Sequence, residues 1–155
     1  MTADHDARVS LLGLVLPGPY PPHDPLDAVV VHANTARTSG QLPRDHDGNI
    51  IHGLLGHDLT VAEGGEAARW CALNALSVLR AELQTLNRIE RVLTVTGFVA
   101  CVQGFDQQPA VIDGASRLLH EVFGDAGRHS RSAIGVAALP RGGAVEIEVT
   151  VALAP

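Results

Sequence analysis

In the last third of the chain, apolar and polar residues alternate with a period of two. Val145, Ile147, Val149 and Val151 interleave with Glu146, Glu148 and Thr150, which predicts a strand with one covered face. Residues Arg131–Leu139 repeat the alternation: Ile134 and Val136 point one way, and Arg131, Ala133, Gly135 and Ala137 point the other. Pro140-Arg141-Gly142-Gly143 is a turn-rich connector, so strands over 131–139 and 144–152 are expected to close the chain as a hairpin. Arg91–Val102 reads as another strand, in which Leu93, Val95, Val99 and Cys101 oppose Thr94, Thr96 and Phe98. Near the N-terminus, Ala28–Ala33 and Ala36–Gln41 read as a strand pair turning at Asn34, with a further turn signal at Asp47-Gly48.

Between these strands the period lengthens. From Thr60 onward, Ala68, Cys71, Ala72, Ala75, Leu79 and Leu83 follow helical spacing. Thr60 and Glu63 stand at capping-box distance, where each side chain can satisfy an orphan N–H of the helix start. A second helix is expected from Pro109 to Phe123, with Val111, Ala115, Leu118 and Val122 on one stripe and Gly124 as its stop. Pro17, Gly18, Pro19, Pro21, Pro22 and Pro25 exclude helix and central strand, and residues 1–27 are expected to form an extended arm. The predicted fold class is α+β: one domain over 1–155, with a mixed sheet and two helices on one of its faces.

Composition narrows the class. At 155 residues and 46% hydrophobic, the chain can bury a core, built mostly of aliphatic side chains because aromatics are scarce. A formal charge of −6 argues against a broad face for gripping nucleic acid. Cys71 and Cys101 have no metal or redox spacing and read as free thiols of a reducing compartment. The N-terminus lacks the features of a secretion signal, and no apolar run reaches the ~18 residues of a membrane span. A cytoplasmic protein is expected.

If the apolar strand faces all meet the helices, the opposite sheet face carries Arg131, Glu146, Thr94, Thr96 and Phe98. Such a face is either solvated or covered by another subunit that leaves a cleft. The small residues beside Arg131 leave room for a ligand, and a guanidinium can hold a carboxylate through two parallel hydrogen bonds. In a regular hairpin Arg131 would lie opposite about Ala152. That is roughly 20 Å from Glu146, at ~3.3 Å per residue, so the two would meet only across a subunit boundary. His129 is either a structural residue at a strand start or an acid or base, given a pKa near ~6.5 when unperturbed. His46, His52 and His57 lack metal-ligand spacing, and no metal site is expected.

Several of these residues form a larger pattern. Ser39-Gly40-Gln41-Leu42-Pro43, then Arg131-Ser132 with Leu139-Pro140 eight residues past Arg131, then Val145-Glu146-Ile147-Glu148, resemble the reactive intermediate deaminase (Rid, or YjgF-like) family. Asn74 and Phe98 fit the same pattern, and the resemblance runs from Tyr20 to Ala152. Ala133 stands where many members carry cysteine and Gly135 where an acidic residue is common. The stretch Gly127–Val136 therefore resembles a distinct branch.

The resemblance implies a chorismate-mutase-like fold assembled as a homotrimer, with clefts between subunits. It implies hydrolysis of enamines or imines to 2-keto acids and ammonia without a cofactor. The carboxylate-binding arginine falls on Arg131 and the water-orienting glutamate on Glu146. Ligand contacts fall on Ser39, Gly40, Phe98, Ala133 and the arm residue Tyr20, with His129 as a branch-specific acid or base. The alternatives are a non-catalytic protein binding a small carboxylate, an imine-processing enzyme of a specialised pathway acting on a larger imine, and a ribonuclease. The acidic balance and the lack of a basic, aromatic-rich surface speak against the last.

Overall fold

The computed structural model describes residues 3–155. Its sheet has five strands in the order β1-β2-β5-β3-β4: β1 Val29–His32, β2 Thr35–Thr38, β3 Ile89–Ala100, β4 Ser130–Val136 and β5 Val145–Leu153. Two long helices, α2 Val61–Leu83 and α3 Gln108–Phe123, cover one face, as the sequence predicts. Thr60 caps α2 in the expected box: its hydroxyl accepts from the Glu63 N–H at 3.2 Å, and Glu63 accepts from the Thr60 N–H at 2.7 Å. Gly124 ends α3.

The core forms where the apolar stripes of α2 and α3 meet Val92, Val95, Val99, Val145, Ile147, Val149 and Val151 of the sheet. Glycine lets these layers approach closely. A Cβ on Gly114 of α3 would collide with the Gly65 backbone of α2, and one on Gly97 of β3 would meet Ile112 at 2.5 Å.

Three expectations change. The extended arm over 1–27 contains a helix, α1 His5–Leu11, capped by Asp4. Its His5 is buried, with Nε2 3.2 Å from the Ile89 carbonyl and its ring edge-on to Phe123. A polar N-terminal run therefore becomes helical because its few buried side chains dock on the end of α3 and the start of β3. Leu93, assigned to the core stripe, is 39% exposed. The β3–β5 register slips between Val92 and Thr94, and this bulge turns Leu93 outward while Val92 and Val95 both stay buried.

The third change concerns the closing hairpin, which does not form. Strand β4 pairs parallel with β3, and β5 pairs antiparallel with the other edge of β3, so β3 separates the two strands predicted to be partners. The connector is bound elsewhere: Gly53 N–H donates to Gly142, and Ala144 N–H donates to Ile51. These bonds carry the chain past the end of β3, where Ala100 N–H donates to the Ala144 carbonyl.

Candidate functional site

Strand register decides which predicted site residues share a surface. Arg131 pairs with Val95, and Val95 with Val149, so Arg131 lies on the helix-covered face. Phe98 pairs with Glu146 on one side and Ile134 on the other, which puts Glu146 and Phe98 on the open face with Thr94 and Thr96. The expectation that Arg131 joins these residues on the open face is therefore corrected. Parallel pairing puts Ile134, 45% exposed, there instead. The hairpin distance is corrected as well. Arg131 and Glu146 stand two strands and three positions apart, roughly 14 Å between backbones, with side chains leaving opposite faces. One chain does not bring them together.

Arg131 is held by α3. Its Nη1 donates to Asp113 Oδ1 at 2.9 Å and to Ser116 Oγ at 3.1 Å, and Nη2 donates to the Pro109 carbonyl at 3.3 Å. A guanidinium has five N–H donors, so Nε and one Nη2 hydrogen keep no partner among the described residues. The side chain is 21% exposed, which fixes its position while leaving it reachable. His129 belongs to the same network. Its Nδ1 lies 2.6 Å from the Gly127 carbonyl, which can only accept, so this nitrogen carries the proton. In the neutral ring Nε2 then accepts from the Ser116 hydroxyl at 2.9 Å. Both ring nitrogens are thus engaged within the chain, and His129 supports Arg131 through Ser116.

The small residues of β4 leave less room than their size suggests. A Cβ on Gly135 would meet Cys101 Sγ and Gln108 Nε2, each at 2.8 Å, so neighbouring side chains fill that space. Ala133 packs against the core. The opening near Arg131 lies instead between α3 and the segment leading into β4. It is a cavity of about 580 Å³ lined by Ser116, Arg117, His120, Arg128, His129 and Arg131, among others. Asp113 and Ser116, the partners of Arg131, carried no signal in the strand alternation. They stand three apart on α3, and reading β3-α3-β4 as one crossover unit would have placed that helix face over β4.

Glu146 forms a second cluster. A Cβ on Gly40 would collide with its carboxylate, so Gly40 is the residue that lets this side chain lie against the 39–41 segment. The segment is held to β5 by reciprocal Gln41–Ile147 backbone bonds. The Glu146 carboxyl is half-buried, and that burial, with the neighbouring Glu148 charge second, holds its pKa above the usual carboxylate range. Glu148 itself pairs with Arg37 at 3.0 Å. Ser39 turns its hydroxyl to the Asp27 carbonyl at 2.6 Å.

Tyr20 is placed apart from both clusters. Its hydroxyl donates to the Asp45 carbonyl at 2.7 Å, Arg44 stacks over its ring at 5.4 Å, and it borders a cavity between the arm, β1 and α2. Cys71 is fully buried under β5, where burial first and the Glu146 charge second push its thiol well above its usual value. It serves packing. No group of three or more His, Cys, Asp or Glu suited to a metal occurs among the described residues, and no described helix is long and apolar enough to cross a membrane.

A mixed five-stranded sheet backed by two long helices, with a strand-borne arginine at its edge and a glutamate on its open face, defines an α+β class with known members. Residues 7–147 match the family described as "YjgF/chorismate mutase-like, putative endoribonuclease", and the chain belongs to that family. Protein TCP17 of Trypanosoma cruzi is 42% identical over 148 residues, covering 95% of this chain and 92% of that protein. The crystal structure of Atu1372 from Agrobacterium tumefaciens, a protein of unknown function, has a TM-score of 0.88 at 39% identity, covering 97% of this chain and 94% of that one. A Shewanella oneidensis protein bearing the same endoribonuclease description has a TM-score of 0.92 at 32% identity, covering 97% of this chain and 100% of that one.

Proposed function

We propose that the protein is an imine or enamine deaminase that hydrolyses small 2-imino acids to 2-keto acids and ammonia in clefts between the subunits of a homotrimer. The observation that carries this reading is Glu146: a half-buried carboxylate of raised pKa, seated against Gly40 beside Phe98 on a sheet face that no helix covers. A carboxylate made more basic by its surroundings is better suited to take a proton from water near neutral pH. Arg131 supplies the complementary part, a guanidinium fixed on one side with donors left on the other for the substrate carboxylate. Since the two leave opposite faces of one sheet, Arg131 of one subunit serves the cleft with Glu146 of the next. Open-face Ile134 and Val30, 45% and 57% exposed, favour a face that is covered on assembly.

In the reaction, Glu146 accepts a proton as water adds to the imine carbon. It then returns the proton to nitrogen, and the carbinolamine releases ammonia as the keto carbonyl forms. Each tenfold acceleration needs about 1.4 kcal/mol, within reach of positioning alone.

The test is keto-acid release from freshly generated 2-iminopropionate and 2-iminobutyrate by wild type and Arg131→Ala. Acceleration by wild type that drops at least about tenfold in the variant supports the reading. No acceleration by folded wild type sinks deamination of these substrates and leaves a larger imine or a binding role. Salt-sensitive RNA cleavage would favour the ribonuclease that the family description names.

A further inference from the structure

The cavity beside Arg131 concentrates positive charge on an acidic protein. All eleven basic residues counted as Lys or Arg are arginines, the formal charge is −6, and three of them, Arg117, Arg128 and Arg131, line this one cavity. Its carboxylates are already engaged. Glu121, on the rim, pairs with Arg69 at 3.3 Å, and Asp113, just outside, holds Arg131 at 2.9 Å. Arg117 reaches Asp113 only at 3.9 Å with its side chain 77% exposed. Arg128 is exposed, and no carboxylate lies within ion-pair distance of it among the described residues. A single monocarboxylate on Arg131 would leave Arg128 without an anion and Arg117 with only its long contact to Asp113, a carboxylate it shares with Arg131.

We propose that this cavity takes a small dianion, with one carboxylate on Arg131 and a second anionic group, carboxylate or phosphate, on Arg117 and Arg128. The assignment rests on the reading of Arg131 as the carboxylate anchor, and it narrows the substrate class to 2-imino or 2-keto acids with an acidic or phosphorylated side chain. A volume of about 580 Å³ admits such a molecule with room to spare. The exposed Arg117 and Arg128 line the cavity along with the Ser116–His129 pair, which is fixed by its hydrogen bonds.

Calorimetric titration at low ionic strength tests this with pyruvate, 2-oxoglutarate and phosphoglycolate as probes. Wild type should bind 2-oxoglutarate or phosphoglycolate about tenfold or more tighter than pyruvate, because added charge near the free Arg128 and the weakly paired Arg117 gains attraction. Which dianion wins distinguishes a carboxylate from a phosphate as the second group. The gap should close in the Arg117→Gln/Arg128→Gln double variant and persist in Arg80→Gln, an exposed arginine of α2 away from the cavity. Arg131→Gln should weaken all three probes. Equal affinities in wild type, no binding of any probe, or a gap that survives the double variant would overturn the proposal. Absence of turnover of 2-iminoglutarate as well as 2-iminopropionate, alongside a gap that follows Arg117 and Arg128, would remove the deaminase reading and leave this site standing. Turnover of 2-iminopropionate without a gap would do the reverse.

Discussion

Glu146 shows how much of a residue's chemistry comes from its neighbours. Alternation along β5 marks it as outward-facing, yet the 39–41 segment half-buries it, and Gly40 is small enough to lie against its carboxylate. Burial disfavours the ionised form and Glu148 adds to the effect, so the folded pKa lies above the unfolded one. For an acid shifted upward, the folded state binds more protons than the unfolded state between the two pKa values. Stability is therefore full below the unfolded pKa and is lost as pH rises through the folded pKa. Glu146→Gln, which stays neutral, should denature at higher urea than wild type at pH 7, and the two should converge below about pH 4. A variant less stable than wild type at pH 7 would show that the carboxylate makes favourable contacts that outweigh its burial. Arg131 is the opposite case: its residue type and strand position were legible, but its partners Asp113 and Ser116 belong to another element.

At the level of elements, α2 and α3 are well specified locally by the Thr60 box, the apolar stripes and the Gly124 stop. Their mutual approach depends on Gly65 and Gly114, which in sequence look like weaknesses in a helix. Gly114→Ala would gain helix propensity but drive a Cβ into the Gly65 backbone, which cannot swing aside. We expect a net loss of about 1–3 kcal/mol, read from the urea midpoint at unchanged m-value. A neutral or stabilising result would mean that the helices separate at little cost. The β4–β5 connection was the least legible element. A period of two suits parallel and antiparallel pairing alike, and four turn residues suit a hairpin as well as a crossing. The strand-helix-strand order 89–136 did hold the needed signal, since parallel neighbours require a helical crossover.

On the scale of the whole molecule, Arg131 and Glu146 lie on opposite faces, which makes the proposed activity a property of an assembly. Mixing Arg131→Ala with Glu146→Ala subunits, each inactive alone, should restore up to about a quarter of the wild-type sites after random exchange. Keto-acid release from the mixture measures this. Two inactive variants that stay inactive after proven exchange would place both residues in a single-chain site or remove one from the chemistry.

By itself the sequence determined the α+β class, the two long helices with their caps, the covered face of β5, and a resemblance specific enough to point to Arg131 and Glu146. Those features follow from local propensity and from side-chain periods, which act over a few residues. Only the tertiary structure decided the parallel docking of β4, the face on which Arg131 emerges, the bulge that exposes Leu93, and the folding of His5–Leu11 against α3. These depend on which backbone edge meets which, and a pairing between distant segments is chosen by the burial of the whole sheet.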